Sequence, residues 1–372
     1  MRILHIIPNL KKGGAERLVL DICIALSKTK DVEVRLITFS DENDYRYLSK
    51  DIDWRVIPSE IELSVWRKNK ICTESLQKLI TDFKPDIIHS HLFEAEIISR
   101  TCNYPQAKWF SHCHDNMIQF QNFSLLTILR KRDFLNFYEK RFLFKRYKKN
   151  GGNHFIAISN DTKRFFDKTA SPYPVTLLPN SIDYRRFYTA KTINKIGSRM
   201  RLINTGSFVD KKNQKFIVEV ASVLKRRGVD FELHLLGDGP NRKKIEAQIS
   251  NLQLEKEVIL HGNVDNVEVY LWQSDIYIHS ATYEPMGLVL IEAMASGLPI
   301  ISLDGKGNRD LIENEKNGYM LFEPNIEKFT DKICEVWFDK DKLAEESSYA
   351  QQFARRFDLG NYTIRLKKIY MQ

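Results

Sequence analysis

Ser280-Ala281-Thr282-Tyr283-Glu284-Pro285-Met286-Gly287-Leu288-Val289-Leu290-Ile291-Glu292-Ala293-Met294-Ala295-Ser296-Gly297-Leu298-Pro299 carries a strand end, a loop, a helix and the turn into another strand. Residues 276–280 have strand length, about 287–296 have helical length closed by Gly297, and 299–302 are apolar again. Short apolar runs set between helical stretches are the mark of buried parallel strands. Ligands of such sheets lie beyond the carboxyl ends of the strands, which is where this loop places Glu284. A helix start offers unpaired backbone N–H groups and partial positive charge, a ready place for an anion. Gly287 lets a ligand approach that backbone closely, and Glu292 follows about one and a half turns into the helix. Two carboxylates flanking a phosphate-friendly helix end suit gripping hydroxyls on either side of a diphosphate. Ordinary loop and helix-surface positions would place two acids there as well.

The same rhythm runs outward from this stretch. Strand-like segments at 3–7, 32–38, 54–57, 86–89, 108–111 and 155–158 alternate with helix-like segments at 16–28, 70–83 and 161–168. After a polar stretch at 189–200 the pattern restarts, with strands at 202–205, 231–236, 258–261 and 276–280 and helices at 213–227 and 241–251. This predicts an α/β fold of two doubly wound, Rossmann-like domains facing a cleft. The expected boundaries are 1–183 and 184–356, with a C-terminal helix at about 357–372 packing back on the first domain.

With 43% hydrophobic and 28% charged residues over 372 positions, the composition is that of a globular protein and excludes collagen-like and disordered classes. No apolar run approaches the ~20 residues that cross a bilayer. The five cysteines are scattered without a CxxC pair, which points to reduced thiols and a cytoplasmic setting. The N-terminus lacks a signal peptide's charged region and cleavage site, and reads as a first strand. The net charge is +9, and Arg130–Lys149 alone holds nine basic against two acidic residues. That localised excess predicts an anionic partner.

Glu284-x7-Glu292 in this setting resembles the signature of the family-4, "group 1" retaining glycosyltransferases. Further motifs share the likeness: Gly13-Gly14-Ala15-Glu16, Pro85-Asp86-Ile87-Ile88-His89-Ser90-His91, Leu178-Pro179-Asn180-Ser181-Ile182-Asp183, Lys212-Asn213-Gln214 and Leu236-Gly237-Asp238-Gly239-Pro240. The resemblance implies a GT-B fold and transfer of a hexose or acetamido-hexose from a UDP- or GDP-sugar to a glycan or lipid-linked acceptor in cell-surface polysaccharide synthesis. It implies retention of anomeric configuration, with no metal or other cofactor. Glu284 would then contact the donor sugar's hydroxyls and Glu292 the ribose. Met286, Gly287 and Leu288 would turn backbone amides to the diphosphate. Lys212 would neutralise it as it leaves, the charge-stabilising effect that usually dominates such chemistry. Gly13, Gly14 and Gly237 would lie along the donor. One departure stands out: the family's Gly-Arg is Gly206-Ser207 here, so leaving-group stabilisation rests on Lys212 with Lys211 beside it, and Ser207 is left to hydrogen-bond a phosphate.

His89-x-His91 and His112-Cys113-His114 each follow a strand, and the i, i+2 spacing puts each pair on one sheet face. Imidazole and thiolate suit zinc, but no acidic ligand accompanies them, and the expectation is no metal. The resemblance instead makes His114 catalytic at the donor sugar with Asp115, and sets His91, with Asp115, toward the acceptor. Asp51-Ile52-Asp53 mimics a metal-binding DxD, yet strand alternation explains it.

Arg130–Lys149 mixes bases and aromatics on an expected long helix beginning near Leu125. A solvated helix face is one reading; binding to an anionic membrane surface is the other. No nucleic-acid motif accompanies it, so no nucleic-acid partner is expected. The protein is thus expected in the cytoplasm, peripheral to the inner membrane face. A nucleotide-sugar epimerase of similar fold and a non-catalytic nucleotide-sugar-binding partner are the rival readings.

Overall fold

The structure, a computed structural model, describes residues 1–64, 67–124, 130–190 and 198–372. It divides into two compact units, Met1–Ser181 with Leu359–Gln372, and Ile182–Asp358.

The first unit carries strands β1 (Arg2–Ile6), β2 (Glu33–Thr38), β3 (Asp53–Val56), β4 (Glu60–Glu62), β5 (Lys70–Cys72), β6 (Ile87–His91), β7 (Lys108–Cys113), β8 (His154–Ala157) and β9 (Val175–Leu177). Seven of them form one parallel sheet in the order β3-β2-β1-β6-β7-β8-β9. β1 and β6 are buried along nearly their whole length, as expected for parallel strands covered on both faces. The helix Gly14–Ser27 buries Leu18, Val19, Ile22, Cys23 and Leu26 on one side. The helix Leu359–Met371 packs against it, adding Tyr362, Leu366, Ile369 and Tyr370 to the same core. Strand order reverses between β1 and β6, so the loops leaving these neighbours diverge and open a crevice at their carboxyl ends.

The second unit repeats the plan with β10 (Met200–Thr205), β11 (Phe231–Leu236), β12 (Val258–Gly262), β13 (Ile276–His279), β14 (Ile300–Leu303) and β15 (Gly318–Leu321). Their order is β12-β11-β10-β13-β14-β15, all parallel. The reversal here falls between β10 and β13.

Two expectations need correction. The stretch 70–83 is not one helix: Lys70–Cys72 pairs antiparallel with Glu60–Glu62, and the helix is only Glu74–Phe83. Helical spacing cannot reveal a ladder partner ten residues upstream. The membrane reading of Arg130–Lys149 needs an outward aromatic face, but helix Lys131–Lys149 turns Phe142 and Phe144, two of its four phenylalanines, inward. Phe142 and Phe144 pack against the core, and cations lie over Phe137, Phe142 and Phe144. The expected helix start at 125–129 and most of the expected linker at 189–200 lie outside the described residues. Asp53 of the DxD look-alike accepts from Arg35 and Arg55 at 2.6 and 2.9 Å, an ordinary strand ion-pair cluster. Among the described residues no helix is long and apolar enough to cross a membrane.

Candidate active site

In the second unit the loops leaving the neighbouring strands β10 and β13 meet. A short turn after β10, Asp210–Lys212, ends with Asn213 at φ 52° and aims Lys212 back across the strand ends. The loop after β13 holds that turn: Thr282 N–H donates to Lys211 O at 2.9 Å, and Ser280 Oγ donates to Lys212 O at 2.9 Å. Lys212 Nζ then pairs with Glu284 Oε2. Glu284 is nearly buried and fixed by its backbone, its N–H donating to Gly305 O at 2.7 Å while its own carbonyl accepts from Gly307 N–H at 3.0 Å. A side chain at Gly307 would place its Cβ 1.8 Å from Pro285 O, so this close crossing of loops depends on glycine.

The electrostatics follow from this packing. Burial alone would raise the Glu284 carboxyl, but Lys212 and His279 outweigh it and bring it down to about 2. His279, the last residue of β13, lies 3.3 Å from Glu284 Oε2 and is itself pushed down by burial, so it stands beside the carboxylate as a neutral ring at neutral pH. No sequence motif singled it out; a histidine closing an otherwise apolar strand was the available signal. Gly287 adopts φ 98° immediately before helix Leu288–Ala295, whose first N–H groups have no intrahelical acceptor. Met286 is buried, so only its backbone could serve a ligand. Glu292 is half-buried on that helix, and with Glu284 it raises the buried Tyr277 hydroxyl after burial itself, which puts both carboxylates in one neighbourhood. Gly206 and Gly237 lie back to back: a Cβ on Gly237 would sit 2.1 Å from Gly206 O. Ser207 is exposed beside them. Lys212, Glu284, Gly287 and the helix start are therefore assembled at one sheet edge, where an anion and adjoining hydroxyls could be held.

The first unit carries a separate cluster. Because β1, β6 and β7 are neighbours with His5 opposite His89 and His91 opposite His112, five histidines share one region of the sheet. His5 Nδ1 is 2.9 Å from His91 Nε2, and His91 Nδ1 is 3.1 Å from His114 Nε2. His89 Nδ1 is 2.6 Å from the Tyr370 hydroxyl, and His112 Nε2 is 3.3 Å from Asn180 Oδ1. Burial lowers His5 to about 3, His112 to about 4, and His89, His91 and His114 well below the usual imidazole range. Two triads, His5–His89–His91 and His91–His112–His114, bring ligand atoms within 4.8 Å of one another, a spacing a zinc-type ion could use. Neither triad contains a carboxylate or thiolate. His5 escaped the sequence reading, since only the strand order makes it a neighbour of His89.

Asp115 is exposed just past the strand end. Gly13, in extended backbone, caps helix Gly14–Ser27 and exchanges hydrogen bonds with Tyr45 Oη, its N–H donating at 3.1 Å and its carbonyl accepting at 3.0 Å. Glu16 Oε2 would lie 2.2 Å from a Cβ on it. The charge of the adjoining lysine loop is partly met, as Lys11 pairs with Glu42 at 2.7 Å.

Comparison with known proteins covers nearly the whole chain. The profile described as Glycosyltransferase Family 4 matches residues 12–186, and that described as Glycosyl transferases group 1 matches residues 190–353. EpsF of Bacillus subtilis (strain 168), which carries a provisional glycosyltransferase name, is 26% identical over 82% of this chain and 79% of its own length. A poly(ribitol-phosphate) alpha-N-acetylglucosaminyltransferase of Staphylococcus aureus (strain COL) is 26% identical over 85% of this chain, which spans 62% of that relative's length. Among solved structures, Anabaena HepE in complex with UDP and glucose superposes with a TM-score of 0.79 at 19% identity, covering all of both chains.

Proposed function

The chain belongs to the group 1 glycosyltransferases of GT-B fold, and on that premise we propose that it moves a hexose or acetamido-hexose from a nucleotide-diphosphate sugar to a cell-surface glycan or lipid-linked acceptor, with retention. The observation that carries this reading is the Lys212–Glu284 pair beside the start of helix Leu288–Ala295. Lys212 and the helix N–H groups take the diphosphate charge as it develops, while Glu284 and Glu292 hold donor hydroxyls. On the first unit, His114, Asp115 and His91 meet ligand oxygens. The departing phosphate oxygen accepts the acceptor's proton, so no separate protein base is required. Retention fits a relative named for an alpha linkage. UDP is the favoured nucleotide, since HepE was solved with it.

A thermal-shift screen of UDP, GDP and their sugars tests the donor site. A ligand at 100 times its Kd stabilises by ~2.7 kcal/mol. A shift with one nucleotide series that is lost in Lys212→Ala supports the reading; no shift with any would contradict it. Donor alone should not be epimerised, and recovery of an epimer would favour the rival enzyme.

No metal is required at the diphosphate, because Lys212 and the helix start provide the positive charge. Chelation by EDTA is expected to leave turnover unchanged. Loss of turnover that zinc or manganese restores would overturn this proposal.

The basic helix is proposed to hold the enzyme against anionic lipid. Lys145, Lys148 and Lys149 are exposed on it, and a groove of about 390 Å³ is lined by Phe123, Phe137 and Phe144 with Lys140, Arg141 and Lys145. With Phe142 and Phe144 turned to the core, the attraction is mainly electrostatic, about 1 kcal/mol per basic residue near anionic lipid. Binding to anionic but not neutral liposomes is expected, weakened by salt and by changing Lys145, Arg146, Lys148 and Lys149 to Glu. Equal binding of the charge-reversed protein would refute it.

A further inference from the structure

The five-histidine cluster holds more hydrogen-bond information than a count of rings conveys. Three of its members form a file: His5 Nδ1 meets His91 Nε2 at 2.9 Å, and His91 Nδ1 meets His114 Nε2 at 3.1 Å. His5 and His91 are fully buried, and His114 is half-buried at the outer end, just past β7. Each contact needs one proton between its two nitrogens. Burial keeps every ring neutral at neutral pH, so each ring carries a single N–H.

Only two arrangements satisfy both contacts. In the first, each ring is protonated on Nδ1: His5 donates to His91, His91 donates to His114 Nε2, and His114 keeps an N–H on Nδ1. In the second, each ring is protonated on Nε2: His114 donates to His91 Nδ1, His91 donates to His5 Nδ1, and His5 is left with an N–H on Nε2. That last nitrogen is buried and has no partner. A buried N–H with no acceptor is rarer in proteins than an underused acceptor lone pair, so the first arrangement wins.

The flanking rings obey the same rule. His112 and His89 also have one partnerless buried nitrogen each, Nδ1 and Nε2 respectively. On His112 the other nitrogen, Nε2, faces Asn180 Oδ1, which can only accept. That forces the proton onto Nε2 and leaves the partnerless Nδ1 bare. Placing the proton of His89 on Nδ1, toward the Tyr370 oxygen, leaves its partnerless Nε2 bare too. One assignment therefore puts a bare lone pair on every partnerless nitrogen in the cluster.

We infer that this dead-ended imidazole file holds His114 as its Nδ1–H tautomer, so that His114 meets its ligand as a hydrogen-bond donor to an oxygen and not as a general base. His5 and His91 are positioning residues: they act on the ligand only through His114. For His114 Nδ1 to accept a proton, it would first have to be bare. The proton on each of the three rings would then have to sit on Nε2, ending with an N–H on His5 that has nothing to bond. The file cannot relay a proton onward either, because it stops inside the sheet. The inference rests on the proposed function only for what His114 touches, an oxygen of the sugar or of the acceptor; the tautomer itself belongs to the protein without substrate.

Long-range ¹H–¹⁵N correlation of the whole chain, with ¹⁵N-labelled histidine, reads the tautomers directly. His114→Asn identifies the His114 signals by their loss. The expected spectrum shows His5, His91 and His114 protonated on Nδ1 and His112 protonated on Nε2. His114 protonated on Nε2, or averaged between the two forms, overturns the inference. His5→Asp offers an acceptor where His5 offers a donor, and is expected to invert His91 and His114 to Nε2–H; unchanged tautomers in the folded variant would also overturn it. If that variant does not fold, the wild-type spectrum still decides.

Activity gives a second readout. The amide nitrogen of Asn can replace an Nδ1 donor, so His114→Asn is expected to keep transfer within about tenfold of wild type, while His114→Leu loses at least tenfold more. Equal losses in the two variants would contradict the donor role. Absence of any sugar transfer by the wild type would count against the proposed function and leave the tautomer result standing.

Discussion

Replacing Lys212 with Ala is expected to lower sugar transfer at least ~100-fold, the usual scale for removing one group that stabilises developing charge. Glu284→Ala should cost a similar factor through lost contact with the donor hydroxyls. Stability must be separated from chemistry here, because Lys212 and Glu284 neutralise each other in a largely buried place. Removing one partner of such a pair costs roughly 3–5 kcal/mol by stranding the other charge. The double variant Lys212→Met with Glu284→Gln strands neither. It is expected to recover most of the stability lost by the single variants and none of the activity. Near wild-type turnover in a folded Lys212→Ala protein would refute the diphosphate assignment.

The second large effect is a pH-dependent stability carried by Glu284. Its carboxyl lies at about 2 in the folded protein against an ordinary value of 4.5. A depressed carboxyl stabilises the fold above the unfolded value, and that stability is lost as pH falls from 4.5 through 2. The difference amounts to about 3 kcal/mol. Urea unfolding of the wild type and of Glu284→Gln should therefore differ by a constant amount above pH 5, with the wild type more stable. The gap should shrink steadily below pH 4.5. A gap that stays constant down to pH 2.5 would show that Glu284 is not held ionised by Lys212 and His279.

The alternation of apolar runs and helical stretches made the two parallel sheets legible, because strands buried on both faces announce themselves locally. Glu284, Gly287 and Glu292 were singled out for a related reason, lying along the loop after a strand end and the helix that follows it; Lys212 was singled out by the family likeness and not by its spacing. What depended on non-local pairing was not legible. His5 becomes a neighbour of His89 only through the order β2-β1-β6-β7, and the pairing of Lys70–Cys72 with Glu60–Glu62 needs a ladder that helical periodicity masks. Phe142 and Phe144 alternate with bases in a way that reads equally as an outer aromatic face or as core packing, and the second holds. The loop 304–307 that fixes the Glu284 backbone sits some twenty residues beyond it, and its Gly305 and Gly307 became meaningful only once the loops were seen to cross.

The measurement that bears most directly on the proposed activity is the anomeric configuration of the product. The nucleotide sugar that stabilises the protein in the thermal-shift screen, supplied with its sugar α-linked to the diphosphate, would be incubated with wild-type enzyme and a glycan or lipid-linked acceptor. The configuration of the new linkage, fixed once the glycoside has formed, would be read by NMR. An α product, formed in the presence of EDTA and absent with Lys212→Ala, is expected. A β product would contradict the retaining mechanism proposed for the Lys212–Glu284 site.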